Sequence, residues 1–142
     1  IKFQPSFADQ GDRINLKASW TKGGRGRVIP IRHKIQRELL DRVHDLAGRG
    51  ALIPTDKNYF QQLKRYERQT IVVGLRKLHG LRHAYAQSRY RVLTGRDCPA
   101  AGGLSSSALG QQEKLVDLEA RLIISQELGH SREQITTTYL GR

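Results

Sequence analysis

The hydrophobic pattern of the chain changes its period once, near Arg32, and this change limits the possible folds. Residues 13–20 alternate polar and apolar side chains, which is typical of a half-buried strand. A glycine-rich turn follows at 21–26, and residues 27–31 are predicted to form a returning strand that ends near Pro30. Apolar residues then recur at helical spacing from Arg32 onwards. The pattern predicts one small hairpin followed by helices.

Glycines divide the helical part into successive segments. We expect helices from Arg32 to Gly48, from Tyr59 to about Val73, and from about Gly80 to Gly95. A further long helix carries three leucines and ends at Gly129, and a short helix follows across 133–138; the leucines are Leu115, Leu118 and Leu122. Residues 94–110 are rich in Gly, Ser and Ala and are predicted to be an exposed loop. The fold class is therefore α+β, mainly α, with a small N-terminal antiparallel sheet packed on a helical bundle.

The charge of the chain predicts an anionic partner. Its 142 residues suit one domain, and 25 Lys and Arg against 13 Asp and Glu give a net charge of +12. Sixteen of those cations lie in two stretches, 13–37 and 64–91, as on a surface that follows phosphates. Charge alone leaves DNA, RNA and no specific partner open.

Apolar runs and cysteine content point away from a membrane or secreted protein. The longest apolar run, about 71–75, is far shorter than the ~18 residues that a membrane span needs. The single cysteine, Cys98, excludes an internal disulfide framework. We therefore expect no membrane partner and a cytoplasmic location.

Two motifs suggest other chemistry but are incomplete. Residues 98–108 resemble the phosphate-binding loop of small-molecule kinases of the galactokinase and homoserine kinase type, but the other motifs of those enzymes are missing. His79 and His83 have a spacing that suits zinc, yet Gly80 stands where a catalytic glutamate would be and no suitable third ligand is near. We expect neither a metal nor a cofactor.

A more specific constellation combines three motifs in order. They are Thr-Lys-Gly-Gly around Lys22 before a Val-Ile-Pro strand, His79-x-x-Arg82, and Leu-Gly-His130 with Tyr139 nine residues later. With these motifs the chain resembles the catalytic domain of the tyrosine recombinases, the phage-integrase family, over essentially its whole length. The resemblance implies site-specific cleavage and rejoining of DNA for integration or excision of a mobile element.

The residue types suit cleavage of a phosphodiester without metal or ATP. Tyr139 is a nucleophile that can hold a covalent phosphate, and Arg82 offers a planar fork to two phosphate oxygens. His79 and His130 can donate hydrogen bonds to the transition state, and one of them can accept the tyrosine proton. Lys22 on the hairpin can protonate the departing 5′ oxygen. By resemblance, the intermediate is a 3′-phosphotyrosine link.

The resemblance also implies partners and further contacts. Double-stranded DNA is the expected substrate, the full-length protein is expected to act as a tetramer on two DNA sites, and its origin is expected to be bacterial or phage. Four basic residues near the motifs are candidate phosphate contacts: Arg25, Arg27, Arg76 and Arg132.

The chain departs from the family pattern in two ways. The family has another arginine, in an Arg-x-x-Glu setting before the lysine hairpin, and no such motif precedes Lys22. We therefore expect residues 1–142 to be a partial catalytic domain that begins after this arginine and is inactive or impaired when isolated. The spacing from Arg82 to His130 is also about twice the usual one, which predicts a surface insertion at about 93–117.

Other interpretations stay open. The chain can be a basic DNA-binding module that cleaves nothing, or an enzyme similar to type IB topoisomerases. Most of the motif residues also have an ordinary structural role: Tyr139 can cover the core, His130 can cap a helix, His79 can bond the first turn of the helix that follows it, and the lysine turn can simply be solvated.

Overall fold

The computed structural model describes residues 3–21, 23–76, 78–130 and 132–142. These residues divide into two compact units, with the boundary between Arg76 and Lys77. The first unit contains a short helix, a hairpin and two long helices: α1 (Pro5–Ala8), β1 (Arg13–Leu16), β2 (Arg27–Pro30), α2 (Lys34–Ala47) and α3 (Tyr59–Val72). The second contains α4 (Gly80–Thr94), α5 (Gln111–Glu127) and α6 (Thr137–Leu140). The prediction of a mainly helical α+β chain with one small antiparallel sheet is confirmed.

The hairpin forms where the alternating pattern predicts it. Strands β1 and β2 pair antiparallel, with Arg13 opposite Pro30 and Leu16 opposite Arg27. The Thr21 hydroxyl closes the turn by donating to the Arg25 carbonyl at 2.7 Å. Lys22, the predicted catalytic lysine, lies outside the described residues.

The first strand is shorter than predicted, because it ends at Leu16 and residues Ala18–Trp20 form a 3₁₀ turn. Strand β2 begins at Arg27, so residues after Leu16 have no partner in the ladder. The Trp20 ring instead makes edge contacts with the rings of Phe3 and Phe7, with centroids 6.1 and 5.7 Å apart. The last residues of the predicted strand are therefore held by aromatic packing and not by strand pairing.

A carboxylate and a guanidinium tie α2 to the segment after α1. The Asp9 side chain is only 8% exposed and pairs with Arg37, which also bonds the Gly11 carbonyl at 3.0 Å. The hydrogen bond from Arg37 lowers the pKa of Asp9 below its ordinary value of 3.8. This pair holds the N-terminal end of the first unit on α2.

The lowered pKa of Asp9 predicts acid sensitivity of the first unit. A carboxyl with a depressed folded-state pKa stabilises the fold above its unfolded pKa, and this contribution is lost as pH falls through the folded value. We expect amide protection in α1 and α2 to decrease as pH falls below 3.8, the ordinary pKa of an aspartate, towards the lower pKa that Asp9 has in the folded protein. The Asp9→Asn variant should be less protected at neutral pH and respond less to acid. Equal acid sensitivity of both proteins, measured by hydrogen exchange, would contradict this.

The core of the second unit is built from its three helices and the α4–α5 connection. Its buried members are Ala86, Tyr90, Cys98, Ala120, Ile124, Leu128, Tyr139 and Leu140. The segment 94–110 was predicted to be an exposed loop, but Cys98 and Leu109 are buried and two 3₁₀ turns shape it, Pro99–Ala101 and Ser106–Ala108.

The expected surface insertion at 93–117 is mostly exposed or half-buried, but it also contributes buried side chains to the second unit. Besides Cys98 and Leu109, the side chain of Asp117 is buried and accepts a hydrogen bond from the Tyr90 hydroxyl at 2.6 Å. A fully buried polar group needs such a partner. The loop also approaches itself closely, since a Cβ at Gly103 would lie 1.8 Å from the Asp97 carbonyl oxygen. Sequence composition gives no sign of this packing.

Helix α5 exposes its leucines and buries polar residues. The periodic leucines correctly predict the helix, but Leu115, Leu118 and Leu122 are 58%, 45% and 40% exposed. The buried positions of α5 are other residues, namely Asp117, Ala120, Arg121, Ile124 and Ser125. The inward face of α5 is thus held partly by hydrogen bonds and ion pairing.

None of the helices in the described ranges is long and apolar enough to cross a membrane.

Candidate active site

Three separate segments of the second unit bring histidine, arginine and tyrosine side chains together. His79 precedes α4, and Arg82 lies in the first turn of that helix. Helix α5 ends at Glu127, and Gly129, with a φ of +80°, turns the chain so that the His130 amide donates to the Ser125 carbonyl at 2.8 Å. Such a left-handed glycine is a common helix end, and it directs His130 towards Arg82.

His130 contacts both the arginine and the tyrosine through one ring nitrogen. Its Nε2 is 3.3 Å from Arg82 Nη2 and 3.4 Å from the Tyr139 hydroxyl. Because a guanidinium can only donate, a hydrogen bond from Arg82 requires Nε2 to be the accepting nitrogen of a neutral ring. The single lone pair of Nε2 can instead accept the proton of Tyr139, so that proton transfer from the tyrosine requires Arg82 to release this nitrogen. Arg82 Nη2 donates in addition to the Leu128 carbonyl at 2.7 Å.

The tyrosine ring is surrounded by nitrogen-bearing side chains. Its centroid lies 6.0 Å from the ring of His79, 4.9 Å from that of His83 and 6.1 Å from that of His130. The Arg82 Cζ is 5.9 Å from the same centroid. Tyr139 itself is only 4% exposed, whereas His79 is exposed. We call the five residues His79, Arg82, His83, His130 and Tyr139 the tyrosine cluster.

The cluster has the electrostatics of an anion site. Among the described residues Arg82 forms no ion pair, and its buried Nε has no hydrogen-bond partner. The acidic residue at the end of α5, Glu127, is held elsewhere, by the Tyr85 hydroxyl at 2.6 Å and by Arg89 Nε at 3.3 Å. A guanidinium that bonds no carboxylate is suited to bind a phosphate.

The structure brings four of the five predicted catalytic residues together, and Lys22 lies outside its described part. The four candidate phosphate contacts belong to two different units. Arg25 is exposed in the hairpin turn, Arg27 is half-buried in β2, and Arg76 is exposed after α3, all in the first unit. Arg132 is exposed in the second unit, two residues after His130.

Two residues of this region were missed as site residues. His83 stacks edge-on against His79, with centroids 5.7 Å apart, and its four-residue spacing from His79 did indicate a shared helix face. Gln87, one turn further on, donates from Nε2 to the Tyr139 carbonyl at 3.2 Å. No sequence pattern marks Gln87.

Within the described ranges, no group of three or more His, Cys, Asp or Glu side chains is arranged to hold a metal ion.

A second basic feature lies on α3 in the first unit. A groove of about 400 Å³ is lined by Lys57, Gln61, Lys64, Arg65, Arg68 and Gln69. Lys57 is paired with Asp56, whereas Lys64, Arg65 and Arg68 form no ion pair with any described residue.

Comparison of the chain with models of known protein families, with curated proteins and with solved structures gives no match.

Proposed function

We propose that the protein is a tyrosine recombinase, which cleaves and rejoins DNA through Tyr139. The observation that carries this proposal is the convergence of Arg82 and His130 on the Tyr139 ring and hydroxyl. A nucleophile, a proton acceptor and a phosphate-binding fork are the groups that transfer of a phosphodiester to a tyrosine requires. They lie within one unit although they come from three segments of the chain.

In the proposed reaction, the Tyr139 oxygen attacks a backbone phosphate. A bond forms between this oxygen and phosphorus, the bond from phosphorus to the 5′ oxygen breaks, and the phenol proton passes to His130 Nε2. Arg82 and His79 stabilise the charge on the non-bridging oxygens. The 5′ oxygen leaves as a hydroxyl, with Lys22 proposed as its proton donor. Attack of a 5′-hydroxyl on the phosphotyrosine reverses these steps.

Burial of the nucleophile is a condition that this mechanism must meet. Tyr139 is 4% exposed, and it lies in the four-residue helix α6, which follows a 3₁₀ turn at Glu133–Thr136. A DNA phosphate therefore meets the phenol only when α6 shifts outward or when the phosphate enters beside the exposed His79. Catalytic contacts commonly tighten when substrate binds.

The direct test is the formation of a covalent protein–DNA adduct. We would incubate the protein as its gene encodes it, and residues 1–142 alone, with nicked duplexes of randomised sequence that are labelled at the 5′ end. A nick just beyond the cleaved bond lets the short 5′-hydroxyl strand diffuse away, so that the adduct accumulates. The proposal predicts label that migrates with the protein in SDS and disappears after proteolysis.

The outcomes separate the alternatives. Tight DNA binding without any adduct from the gene-encoded protein favours a binding module that does not cleave. An adduct together with relaxation of supercoiled DNA of any sequence favours an enzyme similar to type IB topoisomerases. An adduct restricted to particular sequences in the randomised pool favours a recombinase.

The groove on α3 supports DNA as the partner and gives a separate prediction. Each phosphate contact that is lost should reduce the slope of log K against log salt by about 0.9. We expect a Lys64→Gln, Arg65→Gln, Arg68→Gln variant to bind duplex DNA more weakly and with a smaller slope, measured by fluorescence anisotropy. Lys114→Gln, at an exposed position of α5 outside both basic stretches, is the control for loss of a positive charge. An unchanged slope in the triple variant would exclude this groove from the DNA interface.

A further inference from the structure

Helix α6, which carries the proposed nucleophile, is tied to a buried ion pair on α5. Arg121 is only 7% exposed, and its Nη1 donates to the carbonyl of Gly141 at 3.0 Å, just after α6. Its Nε donates to Asp117 at 2.9 Å. One guanidinium thus holds a carboxylate on its own helix and the backbone next to Tyr139.

Residues outside α5 also hold the Asp117–Arg121 ion pair in place. The Tyr90 hydroxyl donates to the other oxygen of Asp117 at 2.6 Å. Burial, together with this hydrogen bond, raises the pKa of Tyr90, so that the hydroxyl keeps its proton and remains a donor. Ser106 adds contacts of 3.5 Å to both members of the pair. Tyr90 and Ser106 come from α4 and from the α4–α5 connection, so three segments determine where Arg121 points.

Gly141 is also held sterically. Its φ of +75° favours glycine, and a Cβ there would lie 2.9 Å from the Ala100 nitrogen and 3.1 Å from Pro99 Cβ. The end of α6 therefore packs directly against the segment 94–110. From α4, the Gln87 amide also donates to the Tyr139 carbonyl.

We infer that Arg121, oriented by Asp117, is a positioning residue for Tyr139. It fixes the end of α6 and so keeps the phenol beside His130. This inference rests on the proposed function for its catalytic meaning, although the position of Tyr139 can be measured without any reaction. It also gives the 94–110 segment a role, which the recombinase motifs alone do not.

The Arg121→Lys variant isolates this role. A lysine keeps the positive charge beside Asp117, so that no buried carboxylate is left unpaired, but a single ammonium cannot reproduce the fork that reaches Asp117 and Gly141 together. Arg91→Lys is the matched control, because Arg91 is on α4 of the same unit and 70% exposed. Tyr139→Leu shows the signal of a cluster that lacks the phenol ring.

The measurement is the NMR shift of the His83 and His130 ring protons, because the Tyr139 ring lies 4.9 and 6.1 Å from these imidazoles. In Arg121→Lys we expect the His83 signal to move part of the way to its position in Tyr139→Leu, while Arg91→Lys remains at the wild-type position. A folded Arg121→Lys protein with an unmoved His83 signal overturns the inference.

If Arg121→Lys does not fold, Asp117→Asn decides in the same way, since it removes the carboxylate that orients Arg121 and leaves Gly141 unchanged. Its His83 signal should move as well, and an unmoved signal again overturns the inference. In the adduct assay, Arg121→Lys should react about 10²-fold more slowly, as expected for a nucleophile displaced by about 1 Å, at unchanged DNA affinity. Absence of an adduct from the gene-encoded wild-type protein refutes the recombinase proposal, and the NMR result still determines whether Arg121 positions Tyr139.

Discussion

Replacement of Tyr139 by phenylalanine is expected to abolish the covalent DNA adduct. The variant lacks only the hydroxyl oxygen that would bond to phosphorus, and in the proposed reaction the imidazoles and the guanidinium of the tyrosine cluster act as hydrogen-bond donors or proton acceptor and not as nucleophiles. The phenyl ring keeps the contacts with His79, His83 and His130. The fold and the affinity for DNA should therefore be unchanged, as measured by thermal unfolding and by fluorescence anisotropy.

Tyr59→Phe is the matched control for this experiment. Tyr59 begins α3 in the other unit, where its ring packs edge-on against Phe60 at 5.6 Å, a contact that phenylalanine retains. This variant should form the adduct at the wild-type rate. An adduct that persists in Tyr139→Phe would show that another residue is the nucleophile, and mass spectrometry of the labelled peptide would identify it.

Arg82→Lys is expected to slow adduct formation by about 10²–10³-fold, the usual effect of removing one preorganised group that stabilises transition-state charge. A lysine keeps the charge but not the planar fork. It also cannot bond the Leu128 carbonyl and a phosphate with the fixed geometry of Arg82. The loss should appear in the rate of cleavage at saturating DNA, since a single phosphate contact contributes little to total affinity.

Arg91→Lys again provides the control, because it makes the same substitution on the same helix at an exposed position. If Arg82→Lys cleaved DNA at the same rate as Arg91→Lys, Arg82 would have no role in the cleavage step. In that case the contact with Leu128 would be its main role, and the variant should show a lower melting temperature instead.

Much of the local structure follows from short-range patterns in the sequence. The hairpin was predictable because β1 alternates and glycines permit its turn. Helix α3 begins where Asn58 and Gln61 cap each other's backbone, at 2.9 and 3.0 Å. These interactions span only a few residues, so that the order of residue types determines them. The end of β1 was mispredicted because it depends on ring contacts of Trp20 with Phe3 and Phe7.

The tyrosine cluster was predictable only through motifs. Spacing along a helix relates His79 to Arg82 and His83, but nothing local brings His130 and Tyr139 to the same place. Burial of Cys98 and the tie from Arg121 to Gly141 depend on how three segments pack. Such contacts arise from shape and from the pairing of distant polar groups, for which a single sequence carries no periodic signal.

The reversed surface of α5 has a consequence for how this chain tolerates amino-acid replacement. A hydrophobicity profile would rank Leu115, Leu118 and Leu122 as the positions that change least, and would treat Asp117 and Arg121 as freely variable. The ranking is reversed in the structure, because the three leucines are exposed and the two charged side chains are buried. A saturation library of α5, selected for folded protein, should be permissive at the leucines and restrictive at the two charged residues. The helix would then diverge fastest where its sequence looks most like a core.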